Sequence, residues 1–128
     1  MVMKLATGVD LVDISRLEEA IRRHGDRFLQ RIFTSQELQE VKGNLPSLAG
    51  RFAAKEAVAK ALGTGIGAVN WREVEVLRGA ERQPILHLHG AASQLAEELG
   101  LRRWSLSLSH TFTHAIAMVV ALGEEDVV

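Results

Sequence analysis

The sequence lacks cysteine, a strong net charge and any long run of apolar residues. None of its 128 residues is cysteine, which excludes disulfides, zinc knuckles and thiol catalysis and suits a cytosolic protein. A net charge of −1 provides no basic field for nucleic acid. No apolar run approaches the ~20 residues of a membrane span, and residues 1–6 lack the apolar region of a signal peptide. We therefore expect a cytoplasmic protein that binds neither nucleic acid nor membranes.

No linker, internal repeat or low-complexity tract divides the chain. Its hydrophobic content of 47% and charged content of 24% are typical of a globular protein. We expect residues 1–128 to form a single domain with a core of its own. That length is short for an enzyme with a fully enclosed pocket, so a site shared between subunits is a reasonable expectation.

The hydrophobic patterning predicts an α+β domain with a mainly antiparallel sheet packed on a long helix. The predicted strands are 5–12, 74–77, 85–89, 104–110 and 115–122. Four helices are predicted. The first begins at a capping box 15–18 and ends at Gly25, and the second runs from a capping box 34–37 through Val41. The third and fourth span 48–62 and 91–99. Residues 124–126 are expected to form a solvated tail.

The long helix carries its charged residues on two sides and small residues on a third. Glu56 and Lys60 share one side at helical spacing, while Arg51 and Lys55 form a second polar stripe. The third face carries only methyl side chains: Ala54, Ala57 and Ala61. Small residues permit close packing, so we expect the charged groups to line a crevice. A carboxylate there must be paired or bind a metal, because an isolated buried charge is too costly.

A second acid, Asp10, lies among aliphatic residues of the first predicted strand, behind Gly8. Such residues often cap a nearby helix, but Asp13 is the better capping candidate because it directly precedes the next helix. Asp10 is thus left without a structural role. Together with Glu56 it would provide the hard oxygen ligands that suit Mg²⁺, completed by phosphate oxygens and water.

Two neighbouring features of the long helix have both a structural and a functional interpretation. Lys60 lies four residues after Glu56, a spacing that on its own favours a simple intrahelical salt bridge; alternatively, Lys60 binds phosphate beside a metal. The glycine-rich segment 63–67 follows the helix and lacks the lysine of a P-loop. It either caps the helix or lets a ligand approach the backbone.

The histidines and arginines give weaker signals. Ser109 and His110 do not form a nucleophile–base pair, because adjacent strand residues point to opposite faces; hydrogen bonding to a ligand is the better interpretation of His110. His87 and His89 share a strand face but lack a third zinc ligand, so we interpret them as ordinary strand histidines. The arginines of the first helix and its exit form a solvated face or meet an acidic partner: Arg16, Arg22, Arg23, Arg27 and Arg31.

Four motifs, spread from Gly8 to about Leu122, carry a resemblance to a known family. They are Gly8-Val9-Asp10, Gly50-Arg51-Phe52-Ala53-Ala54-Lys55-Glu56-x-x-x-Lys60, Gly63-Thr64-Gly65-Ile66-Gly67 and Ser107-x-Ser109-His110-Thr111. In this order they resemble the 4′-phosphopantetheinyl transferases, most closely the short bacterial class, holo-acyl-carrier-protein synthase. The resemblance implies Mg²⁺-dependent transfer of 4′-phosphopantetheine from coenzyme A to a serine of apo-acyl carrier protein. It also implies a role in fatty acid biosynthesis and a homotrimer with active sites between subunits.

The same resemblance implies roles for individual residues. Asp10 and Glu56 would hold Mg²⁺, Lys60 would support the phosphates, and Glu56 is a candidate base for the carrier serine. The candidates for the adenosine bisphosphate half of coenzyme A are Arg51, Lys60, Gly63, Thr64, Gly65, Pro84 and His110. The candidates for contact with the acidic carrier protein are Arg16, Arg23 and Arg27.

The chain departs from the family at Arg82-Gln83-Pro84, where Gly-Lys-Pro is more usual. The missing lysine puts a phosphate or adenine contact at that turn in question, and Arg82 is a possible replacement. Two other interpretations compete with the transferase. One is a non-catalytic module that binds coenzyme A or a carrier protein; the other is a structural domain in which Glu56 and Lys60 form a salt bridge.

Overall fold

The computed structural model describes residues 2–125, and this part of the chain forms an α+β fold. Its strands are β1 (Val2–Asp13), β2 (Val74–Arg78), β3 (Pro84–Leu88), β4 (Leu101–His110) and β5 (His114–Glu125). Its helices are α1 (Ile14–Ile32), α2 (Ser35–Val41), α3 (Leu45–Ala61) and α4 (Gly90–Glu98). Among these helices none is long and apolar enough to cross a membrane. The last residue of the predicted tail, Asp126, lies outside the described residues.

The main sheet has the strand order β1-β5-β4, and both pairings are antiparallel. The β2–β3 hairpin forms a second antiparallel sheet. One face of the main sheet packs on α3, and alternate residues of β5 are fully buried there: Ala115, Ala117, Val119 and Ala121. The prediction of a mainly antiparallel sheet packed on a long helix is confirmed.

Strand β1 approaches α3 so closely that only glycine fits at the contact. A Cβ atom on Gly8 would lie 1.8 Å from the backbone oxygen of Ala57. The small alanine face of α3 permits this approach, as the sequence indicates. The close contact places Asp10, two residues further along β1, beside the charged side of α3.

Residues 2–125 leave the opposite face of the main sheet uncovered. On β1, Val9 and Leu11 are 51% and 63% exposed, and their partners across the ladder on β5, Met118 and Ile116, are 51% and 40% exposed. Leu5 extends the same face and is also exposed. A contiguous apolar surface of this kind is typical of an interface with another protein chain.

Helix α1 confirms one sequence prediction and contradicts two others. Its N-cap is Asp13, the predicted capping residue, whose side chain accepts a hydrogen bond from the Ser15 backbone at 3.0 Å, whereas the predicted capping box at 15–18 is wrong. Gly25 does not end the helix: it adopts φ 59° and ψ −140°, and the chain resumes helical geometry to Ile32. Apolar side chains beyond the kink, Phe28 and Ile32, pack against the core, so tertiary packing continues the helix past a residue that normally ends one.

The next two helices follow their predicted signals more closely. The capping box of α2 is present, with Thr34 accepting from the Glu37 backbone and the Glu37 side chain accepting from the Thr34 backbone. Helix α3 begins at Leu45 rather than at 48, because the Asn44 side chain caps it by accepting from the Ser47 backbone at 2.9 Å. It ends before Gly63, whose φ is 81°.

A buried ion pair joins α2, α3 and β2. The Lys55 ammonium lies 2.8 Å from Glu37 Oε1, and both side chains are fully buried. The same ammonium donates to the Val74 carbonyl at 2.6 Å, and Glu37 Oε2 accepts from the Val76 backbone at 2.9 Å. Burial lowers the pKa of Lys55, and the Glu37 carboxylate opposes that shift. Lys55 therefore belongs to the interior, whereas its helical position predicted a polar stripe, shared with Arg51, that lines a crevice.

Candidate active site

Asp10 and Lys60 meet where β1 crosses the C-terminal part of α3. The Lys60 ammonium lies 3.0 Å from Asp10 Oδ1 and donates to the Val9 carbonyl at 3.0 Å. The Asp10 side chain is 19% exposed and that of Lys60 is 53% exposed. The intrahelical spacing favoured a salt bridge between Lys60 and Glu56, but the ion-pair partner of Lys60 is Asp10.

Glu56 faces the same cluster from one helical turn earlier. Its pKa is raised, first by desolvation and then by the negative charge of Asp10, while Lys60 opposes the shift. The two carboxylates therefore repel each other, and the Lys60 ammonium partly compensates the negative charge of both. Such a cluster favours binding of a further cation between the acids.

A largely apolar groove of about 420 Å³ opens beside Asp10. Phe28 and Phe52 form part of its wall, and Arg16 and His114 contribute polar groups. The groove runs between β1 and α1, so it connects Asp10 with the helix that carries the three predicted partner-binding arginines.

The three arginines predicted to contact a partner lie at different distances from this groove. Arg16 lines it, whereas Arg23 and Arg27 are exposed further along α1. The Arg23 side chain bonds Glu19 at 3.1 Å, and the neighbouring Arg22 also pairs with Glu19. The exposed end of α1 is therefore a mixed-charge surface rather than a purely basic one.

A second cavity, of about 270 Å³, brings together part of the predicted nucleotide site. Arg51, Pro84 and His110 line it, as do Arg78 and Arg82 from the β2–β3 hairpin. The three predicted residues come from α3, β3 and β4, which meet here although they are distant in sequence.

The predicted glycine loop does not line this cavity. Gly63 and Gly65 have φ values of 81° and 68°, and a Cβ atom on either would contact nothing within 4 Å. The backbone amides of Thr64 and Gly65 bond the Ala59 carbonyl at the end of α3. In the single chain these glycines allow the backbone to turn after the helix, and they lie apart from Arg51, Pro84 and His110.

Arg51 is held in the cavity wall by α2. Its guanidinium lies 2.8 Å from Glu40 Oε1 and donates to the Glu37 carbonyl at 3.2 Å. Glu40 Oε1 also accepts from the Arg78 backbone at 3.0 Å. Sequence reasoning missed both Glu40 and Arg78. The pairing of Arg78 with Pro84 at the predicted hairpin turn could have indicated Arg78, but no local pattern indicates Glu40.

Comparison with known proteins identifies the family of this fold and site. Residues 6–118 match the 4′-phosphopantetheinyl transferase superfamily. The chain belongs to this family. Holo-[acyl-carrier-protein] synthase from Herpetosiphon aurantiacus is 50% identical over 126 residues, which cover 93% of this chain and 99% of the relative. The enzyme of the same name from Koribacter versatilis is 47% identical and covers 92% of this chain and 98% of its own length.

Solved structures agree with the sequence relatives. Holo-[acyl-carrier-protein] synthase from Neisseria meningitidis superimposes with a TM-score of 0.83 at 40% identity, covering 91% of this chain and 96% of that structure. The enzyme from Helicobacter pylori, solved in complex with coenzyme A, also gives a TM-score of 0.83 at 32% identity, covering 90% and 98%. The predicted transferase-like fold and the resemblance read from the motifs are both confirmed.

In this transferase His89 is not the strand histidine that was predicted: β3 ends at Leu88, and His89 is the N-cap residue of α4 with a structural partner of its own. Its Nε2 lies 3.0 Å from Glu75 Oε1, and the Thr34 hydroxyl donates to Glu75 Oε2 at 2.5 Å. Burial alone would raise the pKa of Glu75, but the bonds from Thr34 and His89 outweigh it and lower the pKa. Glu75 of β2 therefore links Thr34, the N-cap of α2, to His89, the N-cap of α4, and His87 lies directly across the ladder from Glu75.

Proposed function

We infer that this chain transfers the 4′-phosphopantetheine group of coenzyme A to a serine of apo-acyl carrier protein, in fatty acid biosynthesis. The products are holo-acyl carrier protein and adenosine 3′,5′-bisphosphate. The observation that carries the inference is the cluster of Asp10, Glu56 and Lys60, in which Asp10 also lines the open groove between β1 and α1. Family membership over 6–118 supports it.

We propose that Asp10 and Glu56 bind Mg²⁺. Both are hard oxygen donors, and the raised pKa of Glu56 beside Asp10 reflects a repulsion that a cation would relieve. Within residues 2–125 no three His, Asp or Glu side chains cluster as a metal site. The remaining ligands are therefore phosphate oxygens and water, as is usual for Mg²⁺. When bound, the ion would neutralise charge on the pyrophosphate of coenzyme A.

The other groups of the cluster act on the substrates directly. The carrier serine oxygen attacks the phosphorus next to the pantetheine arm, and the bond to the adenosine bisphosphate oxygen breaks. Lys60, half exposed, binds the phosphates by charge-assisted hydrogen bonds. Glu56 accepts the serine proton, directly or through a water.

We assign the two substrates, coenzyme A and the carrier protein, to different surfaces. Arg51, Pro84 and His110 bind the adenosine bisphosphate half in the second cavity, with Gly63, Thr64 and Gly65 contributing backbone contacts. The acidic carrier protein docks on α1 through Arg16, Arg23 and Arg27. These charges chiefly speed encounter and fix orientation. The position of Arg16 in the wall of the groove that contains Asp10 supports this assignment.

We propose that residues 1–128 act as one transferase domain, assembled as a cytoplasmic homotrimer with active sites between subunits. The uncovered apolar face of the main sheet supports assembly, because exposed apolar surface of this extent is costly in a monomer. A shared site would also join the second cavity of one subunit to the acidic cluster of another.

The decisive experiment incubates the protein with apo-acyl carrier protein, coenzyme A and Mg²⁺ and weighs the carrier by mass spectrometry. We expect the mass increment of phosphopantetheine. Asp10→Ala and Glu56→Ala are each expected to lower the rate by roughly 100-fold or more, because each removes charge stabilisation at the reacting phosphates. The matched control is Glu98→Ala, which removes an exposed carboxylate from α4.

Two results would contradict the proposal. Absence of the mass increment across conditions would exclude the transferase, and binding of coenzyme A without transfer would favour a non-catalytic binding module. Near-normal turnover of either acid variant at limiting Mg²⁺ would contradict the metal assignment alone.

A further inference from the structure

Phe112 lies in the turn that joins β4 to β5 and is 103% exposed, the highest value among the exposed large hydrophobic residues of 2–125. Its side chain therefore gains no cover from this part of its own chain. Single apolar residues on a surface are common and carry no meaning by themselves. Three features set Phe112 apart: the bonding of its turn, its place beside the open face of the main sheet, and the apolar surface around it.

The turn that carries Phe112 is tied by hydrogen bonds on both sides. The Thr111 amide donates to the His114 carbonyl at 2.8 Å, and the Thr111 hydroxyl oxygen accepts from the amides of Thr113 and His114 at 3.2 and 3.1 Å. The Thr113 carbonyl accepts from the amide of Ile14, the first residue of α1, at 2.9 Å. An aromatic side chain on a backbone fixed in this way loses less conformational freedom when another surface covers it.

The turn adjoins the open apolar face of the main sheet. On β5 the exposed residues Ile116 and Met118 belong to this face, and they alternate with residues buried against α3. Towards the turn, the next residue on the open side is the exposed His114, and Phe112 precedes it by two residues. Phe112 therefore adds an aromatic ring at the edge of the surface that residues 2–125 leave uncovered.

The surroundings of Phe112 are largely apolar. Together with Pro46, His110 and Thr111 it lines a hollow of about 520 Å³. None of residues 104–128 is lysine or arginine, so the turn itself offers no fixed positive charge to an acidic protein or to a phosphate. An uncharged apolar surface is the better match for it, and the open face of a second copy is such a surface.

We propose that Phe112 packs against a second copy of this chain and anchors the contact between copies. Aromatic residues are the side chains that most often carry the binding energy of an interface. The inference rests on the assembly named in the proposed function and does not depend on the transfer reaction. His110 lines the second cavity and His114 lines the groove beside Asp10, so a contact at this turn would bring both cavities to the junction between copies.

The absence of cysteine from the chain permits a direct test. Phe112→Cys and Gln94→Cys each introduce a single thiol, the second at an exposed position of α4 as the matched control. The rate of reaction with a soluble thiol reagent is measured for each protein folded and unfolded in urea, with no carrier protein, coenzyme A or metal present. We expect folding to slow the thiol at position 112 by roughly 10-fold or more, because a group in a packed interface reacts only when the interface opens. The thiol at position 94 should be slowed little.

Dissociation of the assembly provides a second readout. Light scattering over a dilution series should show that Phe112→Ser raises the concentration of half-dissociation by roughly 10- to 100-fold. Phe112→Leu, which keeps an apolar side chain, should raise it less. Both variants should keep the circular dichroism of the wild type, because Phe112 is fully exposed in the single chain.

The outcomes separate this contact from the proposed function. A thiol at position 112 that reacts as fast as the one at position 94 in an assembled protein would overturn the inference. Protection that appears only after addition of carrier protein or coenzyme A would overturn it too, because the occupant is then not a second copy. A wild type with the mass of one chain would end both the assembly and the inference. If transfer occurs while position 112 is unprotected, the inference fails and the function stands; if position 112 is protected but no transfer occurs, the function fails and the contact stands.

Discussion

At the scale of single residues, the chemistry of the site depends on how Asp10, Glu56 and Lys60 share their charge. Glu56 is partly withdrawn from water and faces a second carboxylate, and both effects raise its pKa. The ammonium of Lys60 is directed at Asp10, so Glu56 receives only part of its compensation. Glu56, whose negative charge is compensated less than that of Asp10, is therefore the acid placed to accept a proton or to bind a metal.

This arrangement predicts how the pKa of Glu56 responds to its neighbours in the metal-free protein. Carboxyl-carbon NMR titration should give a pKa above the usual value for glutamate, near 4.3. Asp10→Asn should lower it by removing a like charge, and Lys60→Met should raise it by removing the favourable one. A Glu56 pKa that moves in neither variant, or moves in the opposite directions, would show that the three groups are not coupled.

At the scale of helices and strands, the buried pair of Lys55 and Glu37 holds the scaffold of the site together. Glu37 belongs to α2 and Lys55 to α3, and their side chains form the ion pair. Both also bond the backbone of β2: Lys55 donates to the Val74 carbonyl, and Glu37 accepts from the Val76 amide. Arg51 lies beside this pair, and its guanidinium donates a hydrogen bond to the Glu37 carbonyl. The pair therefore sets the position of the second cavity relative to α3.

Breaking this pair on one side should destabilise the protein strongly. Lys55→Met leaves the Glu37 carboxylate buried without compensation, and we expect a loss of about 3–5 kcal/mol in the free energy of unfolding, measured with urea. Lys55→Met combined with Glu37→Gln should recover part of that loss, because the glutamine removes the unpaired charge and keeps the acceptor for the Val76 amide. A single variant within about 1 kcal/mol of the wild type, or purely additive losses, would contradict this role.

The sequence predicted these elements because their signals are local. Thr34 and Glu37 form a capping box three residues apart, and strand alternation marks β4 and β5. The kink at Gly25 was missed because its helix continues through packing of Phe28 on a distant core, which no local pattern records.

The candidate site divides in the same way. Motif order indicated Asp10 and Glu56, but the pairing of Lys60 with Asp10 spans 50 residues of sequence. The contact between Arg51 and Glu40 depends on how α2 folds back on α3. Helical spacing therefore placed Lys60 on the correct face and named the wrong partner. No local pattern predicts where the glycine loop lies relative to the second cavity, because their separation depends on tertiary packing.

At the scale of the whole molecule, one face of the main sheet packs on α3, and residues 2–125 leave the other face open. The open face is apolar on β1 and β5 and becomes polar on β4, where Ser105, Ser107 and Ser109 lie opposite Val120, Met118 and Ile116. This change from apolar to polar across one sheet resembles the core and rim of a protein interface.

The open face therefore predicts both assembly and its loss on introduction of a charge. Light scattering after gel filtration should give the wild type about three times the 14.0 kDa chain mass. Met118→Glu should give the mass of one chain, because an unpaired carboxylate in an apolar interface is costly. If the site is shared between subunits, the rate of transfer to the carrier protein should fall when the assembly is lost.

Gln94→Glu makes the same charge change on the exposed side of α4 and should leave mass and rate unchanged. A Met118→Glu protein that keeps the wild-type mass would place the interface elsewhere, and a single-chain mass with full activity would show that each chain has a complete site.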